Sequence, residues 1–471
     1  MLLFVSYIMG YMLSKSIVAQ VLQRCLISGG DFAEIFEEDS ISNSISFIDS
    51  KVDDALGGRT YGIGIRIFKG FKSIYAYTNN NSLQSLLETA HKAALALGEA
   101  NKDVADIILN EKKIETIHPI INYPRDIVYN KKVSILKEAY SAAKSYSDEI
   151  SQVIASYADK EQNVLIANTE GLYVQDTRVR TRLGINAVAS KGNENQTGFE
   201  GPGRRMGIEM FDNVDPALHG KEAARVAHTM LHAKNCPAGI MTVAIDNGFG
   251  GVIFHEACGH ALEATAVAKG NSVFAGKLGT QIASSKVTAI DDGTIPNDWG
   301  SLNIDDEGTQ TQKNVLIENG ILKSYMIDKL NARRMKMEPT GSSRRQSYKY
   351  APTSRMTNTY IAAGSDKKED IIKSMHDGLY AKKLGGGSVN PVTGEFNFSV
   401  QEGYLVKNGI IVEPVRGASL IGKGNEVLMD IDMVGDNLKL AQGMCGSISG
   451  SIPTNVGQPM IRVKKMTVGG R

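Results

Sequence analysis

The chain has 471 residues, of which 42% are hydrophobic and 22% charged, values that suit two or three folded domains and exclude a disordered chain or a small disulfide-stapled scaffold. Lys+Arg total 52 against 51 for Asp+Glu, a net charge of +1. A field that balanced gives no electrostatic reason for sequence-independent binding to nucleic acid.

The N-terminus from Met1 to Leu13 is apolar and uncharged. It lacks the basic flank and small-residue cleavage site of a secretion signal. Met12 reads as a natural start, which makes residues 1–11 an extension, to be checked by intact mass; residues 1–14 are set apart from the folded domains. Residues 15–30 read as an amphipathic helix ending at Gly29-Gly30. Strands are expected at Asp31–Glu37, Ser44–Asp49 and Gly62–Phe68, the last with period-2 alternation. Ser82–Leu97 has helical spacing, a serine start and Gly98 as stop. Lys131–Tyr146 is a further helix, 151–190 reads as strands, Gly192–Arg205 as a polar loop, and Ala217–Lys234 as a helix. Residues 15–235 thus form an N-terminal α/β domain.

From 236 to 471 the texture is β-rich. Residues 241–246 (MTVAID) form a strand, followed by a helix carrying VIFHEACGHALEA. Asn319-Gly320 and Asn408-Gly409 sit between alternating runs and predict two hairpins with type I′ turns. Glu369–Leu379 reads as a helix and Leu384–Gly387 as a break. The fold class is α+β, with a barrel-like C-terminal domain carrying the candidate metal-binding helix.

That helix holds His255-Glu256-Ala257-Cys258-Gly259-His260. Two imidazoles and a carboxylate can bind a divalent metal and activate water. The usual zinc helix spaces its histidines i and i+4, about 40° apart around the axis; i and i+5 lie about 140° apart. An ideal α-helix cannot aim both at one ion, so a π-type turn is predicted, eased by Gly259. A third ligand is needed, and Cys445, in the small-residue loop QGMCGS, is a candidate that competes with the role of a small buried hydrophobe.

Other groups weigh less. His228, His232 and Cys236 fall at i, i+4 and i+8, with no base beside them, and read as packing. Cys258 and Cys25 read as core. Glu263 either orients a ligand or is solvated. The basic, tyrosine-bearing run 341–355 (GSSRRQSYKYAPTSR) suits a substrate carboxylate or a domain interface better than nucleic acid. GFGG at 248–251 lacks the spacing of a phosphate loop. The four cysteines form no CxxC pair, which suits a reducing compartment, and no run is long enough to span a bilayer.

The block GFGGVIFHEACGHALEA resembles the TldD/PmbA family of metallopeptidases, in particular its catalytic TldD-type subunit. PTGSSRRQSY, SRMTNTYI, YAKKLGGGSVNPVTGEFNFS, GASLIGKGNEVL, DMVGDNLKL, MCGSISGSIPTNVGQP and MTVGG follow in order. The resemblance implies a cytoplasmic zinc peptidase acting on unfolded or short peptides. His255, His260 and Cys445 are then the metal ligands and Glu256 the general base. It further implies pairing with a PmbA/TldE-type subunit, or a homodimer, and capture of extended peptides by backbone pairing. Where members often carry Lys-Glu-Gly after Cys-Gly, this chain has Ser447-Ile448-Ser449. The competing reading is a non-catalytic regulator of the DNA gyrase modulator type.

Overall fold

A computed structural model describes residues 12–99, 102–390 and 393–470; the expectation for residues 1–11 lies outside them. Helix α1 is Lys15–Cys25, capped by the Ser14 hydroxyl, which accepts from Ile17 N. It stops short of the expected residue 30 because Leu26 N–H turns back to the Gln23 carbonyl and Gly29 takes φ +76°. The further helices are α2 Leu83–Leu95, α3 Tyr129–Lys144 and α4 Pro216–Leu231. The start of α4 combines Pro216 with an Asp215 carboxylate accepting from Ala217 and Leu218 N–H, the expected N-terminal chemistry.

The first sheet holds β1 Phe32–Ile48, β2 Lys51–Lys69, β3 Lys72–Thr78, β4 Asn110–Lys112, β5 Ile150–Asn168, β6 Leu172–Lys191, β7 Glu194–Glu200 and β8 Gly203–Arg204. Its order is β3-β2-β1-β5-β6-β4, with β7 and β8 also on β6. Two of the expected strands, 31–37 and 44–49, are one continuous strand. The polar stretch between them imitates a loop, yet Glu38, Asp39 and Ser40 are buried, with Glu38 accepting from Lys160 and Tyr348 N and Asp39 from Arg59. The expected loop 192–205 contains β7 and β8. Gly198 lies so close beneath α4 that a Cβ would sit 2.0 Å from the Ala223 carbonyl oxygen.

Parity organises this sheet. Odd-numbered residues, Ile35, Phe47, Ile65, Tyr157, Leu165 and Leu183 among them, pack under the four helices. Even-numbered residues face the second half of the chain: Phe36, Val164, Ile166 and Val174 pack with Ile304 and Tyr348. Buried ion pairs cross the same seam, with Arg345 on Glu34 at 2.8 Å, Arg178 on Asp306 at 2.5 Å and Arg66 on Glu307. Removing one member of such a pair strands a buried charge, at roughly 3–5 kcal/mol.

In the second half, five strands close a barrel. Gly239–Ile245 lies between Gly378–Val389 and Ile461–Gly469. Ser419–Lys423 and Glu395–Lys407 complete the ring back to Gly378–Val389. A six-stranded sheet follows, ordered Ile321–Leu322, Lys313–Glu318, Ala289–Asp292, Asn358–Ile361, Gly450–Gln458, Lys439–Ser447. Both Asn-Gly hairpins form, with positive φ at Asn319, Gly320, Asn408 and Gly409. The expected helix 369–379 is only Lys368–Lys373, because His376 at φ +57° reverses the chain into the strand from Gly378. The expected break at Leu384–Gly387 lies inside that strand, as a register shift. Glycine tolerates the irregular backbone of such a bulge. Among the described residues no helix is long and apolar enough to cross a membrane.

One carboxylate clamps the first sheet's helix layer to the barrel. Glu402 accepts both arms of Arg225 on α4, at 2.8 and 2.9 Å, together with Lys382 at 3.0 Å and the Tyr404 hydroxyl at 2.6 Å. Burial works against its charge, but these donors outweigh it and hold the carboxyl at about 2. The folded pKa is depressed, so the stabilisation is complete above the unfolded carboxyl pKa, near 4.5, and is lost as pH falls through about 2. Glu402→Gln is expected to cost about 2–3 kcal/mol at pH 7. Chemical denaturation at pH 7 and pH 2.5 should show that deficit shrinking at the lower pH.

Candidate metal centre

The histidine helix is wedged between the barrel and the six-stranded sheet. Val252, Phe254, Cys258 and Leu262 share one apolar core with Val243, Leu379, Phe396, Leu316 and Val456. Val252–Phe254 is α-helical, and His255–Gly259 then widens into a π turn in which His260 N–H donates to the His255 carbonyl five residues back. The i and i+5 side chains therefore converge as predicted, with ring centroids 5.0 Å apart. The role of Gly259 differs from expectation. Its backbone is ordinary helix, φ −53°, so conformational freedom is not what it supplies. A Cβ there would sit 2.4 Å from Met356 Sδ, so absence of a side chain is the requirement. Gly259→Ala is expected to lower stability by about 1–3 kcal/mol, with part of the loss recovered by Met356→Ala. Thermal melts of the single and double variants would measure both.

Cys445 is not in a loop. It lies in the strand Lys439–Ser447, paired with Ile452 of Gly450–Gln458, in a hairpin that closes between Ser447 and Gly450, with Gly450 at φ +89°. It is 6% exposed, with Sγ 3.2 Å from His255 Nε2 and 3.3 Å from His260 Nε2. Burial opposes its ionisation, but hydrogen bonds and charge from both imidazoles bring the thiol down to about 4. His260 moves the other way. Burial disfavours its cation, yet Glu263 and Cys445 together raise it well above the ordinary histidine value. Glu263, left open by the sequence, is buried and holds His260 Nδ1 at 3.1 Å, the contact that orients a ligating imidazole. Glu256 stands alongside, 28% exposed, with Oε2 3.7 Å from His260 Nε2.

Arg355, the last residue of the basic run 341–355, serves neither a substrate carboxylate nor the first sheet but the cysteine strand. It is fully buried and its Nη2 donates to the Cys445 carbonyl at 2.5 Å. Cys258 and Cys25 pack in cores and burial pushes their thiols up. Cys236 is also core and does not join the histidines at i−4 and i−8. His228 and His232 instead point Nε2 at Glu149 Oε2, at 3.2 and 2.6 Å. Within 341–355, Arg345 and Tyr348 reach Glu34 and Glu38 of the first sheet, an interface role. GFGG is a short 3₁₀ turn.

His255, His260 and Cys445 offer three donor atoms within 4.8 Å of one another. Their N···S separations lie near the roughly 3.5 Å edge of a tetrahedron with typical zinc bond lengths. Two imidazoles and a thiolate suit a borderline-soft ion such as zinc, and a fourth position is left for substrate or water.

Comparison with known proteins gives the class of this chain, a metallopeptidase. Models of the PmbA/TldA metallopeptidase match as domain 1 over 33–94, central domain over 122–231 and C-terminal domain over 238–470. A metalloprotease TldD homolog of Buchnera aphidicola is 39% identical over 452 residues, 93% of each chain, and one of Haemophilus influenzae is 38% identical over 456 residues, again 93% of each. The chain belongs to the TldD/PmbA family of metallopeptidases. The fold agrees with that of TldE from Thermococcus kodakarensis, at TM-score 0.77 and 20% identity over 96% of this chain and 100% of that one. It also agrees with a Thermotoga maritima protein described as a candidate modulator of a DNA gyrase, at TM-score 0.80 and 22% identity, covering 97% and 100%.

Proposed function

We propose that this metallopeptidase is zinc-dependent and hydrolyses unfolded or short peptides, with His255, His260 and Cys445 holding the ion and Glu256 serving as general base. The observation that carries the reading is the convergence of those three donors beside a partly exposed carboxylate. Lewis acidity at the scissile carbonyl is what a divalent ion supplies when bound there. Glu256 takes the proton of the attacking water and returns it to the leaving amine. Glu263 fixes the His260 ring through Nδ1, so that Nε2 faces the ion. Arg355 holds the Cys445 backbone in place from inside the core. An extended peptide pairs with a sheet edge, which makes for weak sequence preference.

The partner is a PmbA/TldE-type subunit, with a homodimer as the alternative, and a thiolate ligand that oxidation would destroy suits the cytoplasm. The test is an unfolded polypeptide incubated with the chain, alone and with a PmbA/TldE-type subunit, and followed by mass spectrometry. Cleavage stopped by a chelator and restored by zinc is expected. Cleavage indifferent to the chelator, or none in either mixture, would overturn the reading.

A further inference from the structure

A cavity of about 660 Å³ lies between the even-numbered face of the first sheet and the hairpin that carries Cys445, a volume usual for ligand sites. Met444 and Ile452, the neighbours of Cys445 along and across the strands, are in its wall. So are Arg180 of β6 and Arg344, which are 9% and 3% exposed.

Neither arginine forms a salt bridge among the described residues, although the charge of Asp176 acts on Arg180 and those of Asp306 and Asp291 act on Arg344. Arg180 donates only to the carbonyls of Trp299 and Ser301, at 3.0 and 3.2 Å. Arg344 donates through Nη1 to the Met356 carbonyl at 2.7 Å and the Thr454 hydroxyl at 3.5 Å. Arg180 Nη1 and Arg344 Nη2 are left without a hydrogen-bond partner among the described residues. The acids in the same wall are already engaged. Asp306 accepts from Arg178 and from Arg345 N–H, and Asp159 accepts from Lys132. Burial, with the charges of Arg205, Arg344 and Arg178, holds the Arg180 guanidinium well below its ordinary value; burial brings Arg344 down to about 10. Buried cations are normally paired. Here two of them share a cavity with room for the missing anion.

We infer that this cavity, which meets the Cys445 hairpin at Met444 and Ile452 but is lined by none of His255, Glu256, His260 and Cys445, is a carboxylate-binding subsite in which Arg180 and Arg344 anchor an anionic group of the peptide. The inference rests on the peptidase reading and adds a substrate preference to it. The carboxylate is either the peptide's own C-terminus or an Asp or Glu side chain. Two guanidiniums reading one carboxylate fix its position, which sets the register of the chain past Glu256. Backbone pairing alone leaves that register free to slide.

The test measures binding, so it does not depend on turnover. Four versions of one short peptide, with free or amidated C-terminus and with Glu or Gln in the sequence, are titrated into zinc-loaded Glu256→Gln protein by calorimetry. Loss of one carboxylate is expected to weaken binding about tenfold or more. Loss on amidation assigns the terminus, and loss on exchanging Glu for Gln assigns the side chain. Arg180→Met, shown by thermal melting to be folded, should erase that difference. Arg344→Met is the second variant to the same end. Equal binding of all four peptides, or discrimination that survives both variants, would overturn the subsite and leave the peptidase reading standing. No binding of any peptide, to the chain alone or with a PmbA/TldE-type subunit present, would overturn both.

Discussion

Glu256→Gln is expected to lower kcat for peptide hydrolysis by about 10²- to 10⁴-fold, the span that general acid–base catalysis supplies, while metal content stays at the wild-type level. The separation follows from geometry. Glu256 Oε2 is 3.7 Å from His260 Nε2 and the side chain is 28% exposed, whereas Cys445 Sγ sits 3.2 and 3.3 Å from the two imidazoles in a buried position. The three donors complete a protein ligand set without the carboxylate. An amide of equal size neither empties the site nor takes up a proton. Steady-state kinetics and elemental analysis on the same preparation give both readouts. Preserved turnover would remove Glu256 as the base, and loss of metal along with activity would make it a ligand.

The geometry of the histidine pair was legible because it depends on residue types at fixed spacing. An i, i+5 histidine pair needs a π turn before it can meet one ion, and the backbone supplies it through the His260 N–H to His255 carbonyl bond. What surrounds the pair was less legible. Cys445 was expected in a loop because its neighbours are small, yet they lie in a regular antiparallel ladder with Gly450–Gln458. Gly259 was expected to bend the helix, but the constraint on it is Met356 Sδ, distant in sequence. Arg355 closes the basic run 341–355, but nothing local marks its contact with the Cys445 carbonyl. The same limit shaped the reading of β1. Glu38, Asp39 and Ser40 look like loop residues until Lys160, Arg59 and the backbone of Tyr348 close around the two acids. Local pattern reports periodicity; it does not report which distant group neutralises a charge.

Metal content is expected at about one ion per chain at this centre, and to be lost in both His260→Ala and Cys445→Ala, since either change leaves two protein ligands where a zinc site needs three or four. The measurement needs one precaution. His228, His232 and Glu149 also bring donor atoms within 4.8 Å of one another, at a more exposed place, so the series belongs in a His228→Ala, His232→Ala background. Glu263→Gln should fall between wild type and the ligand deletions. It leaves all three donors in place but weakens the contact that orients His260 Nδ1, and losses of about 10- to 100-fold in metal affinity are usual for such partners. A graded order, with Glu263→Gln impaired and both ligand deletions empty, is what a His255/His260/Cys445 site requires. Metal retained by Cys445→Ala would remove the thiolate from the ligand set, and with it the reason for the hairpin to press against the histidine helix.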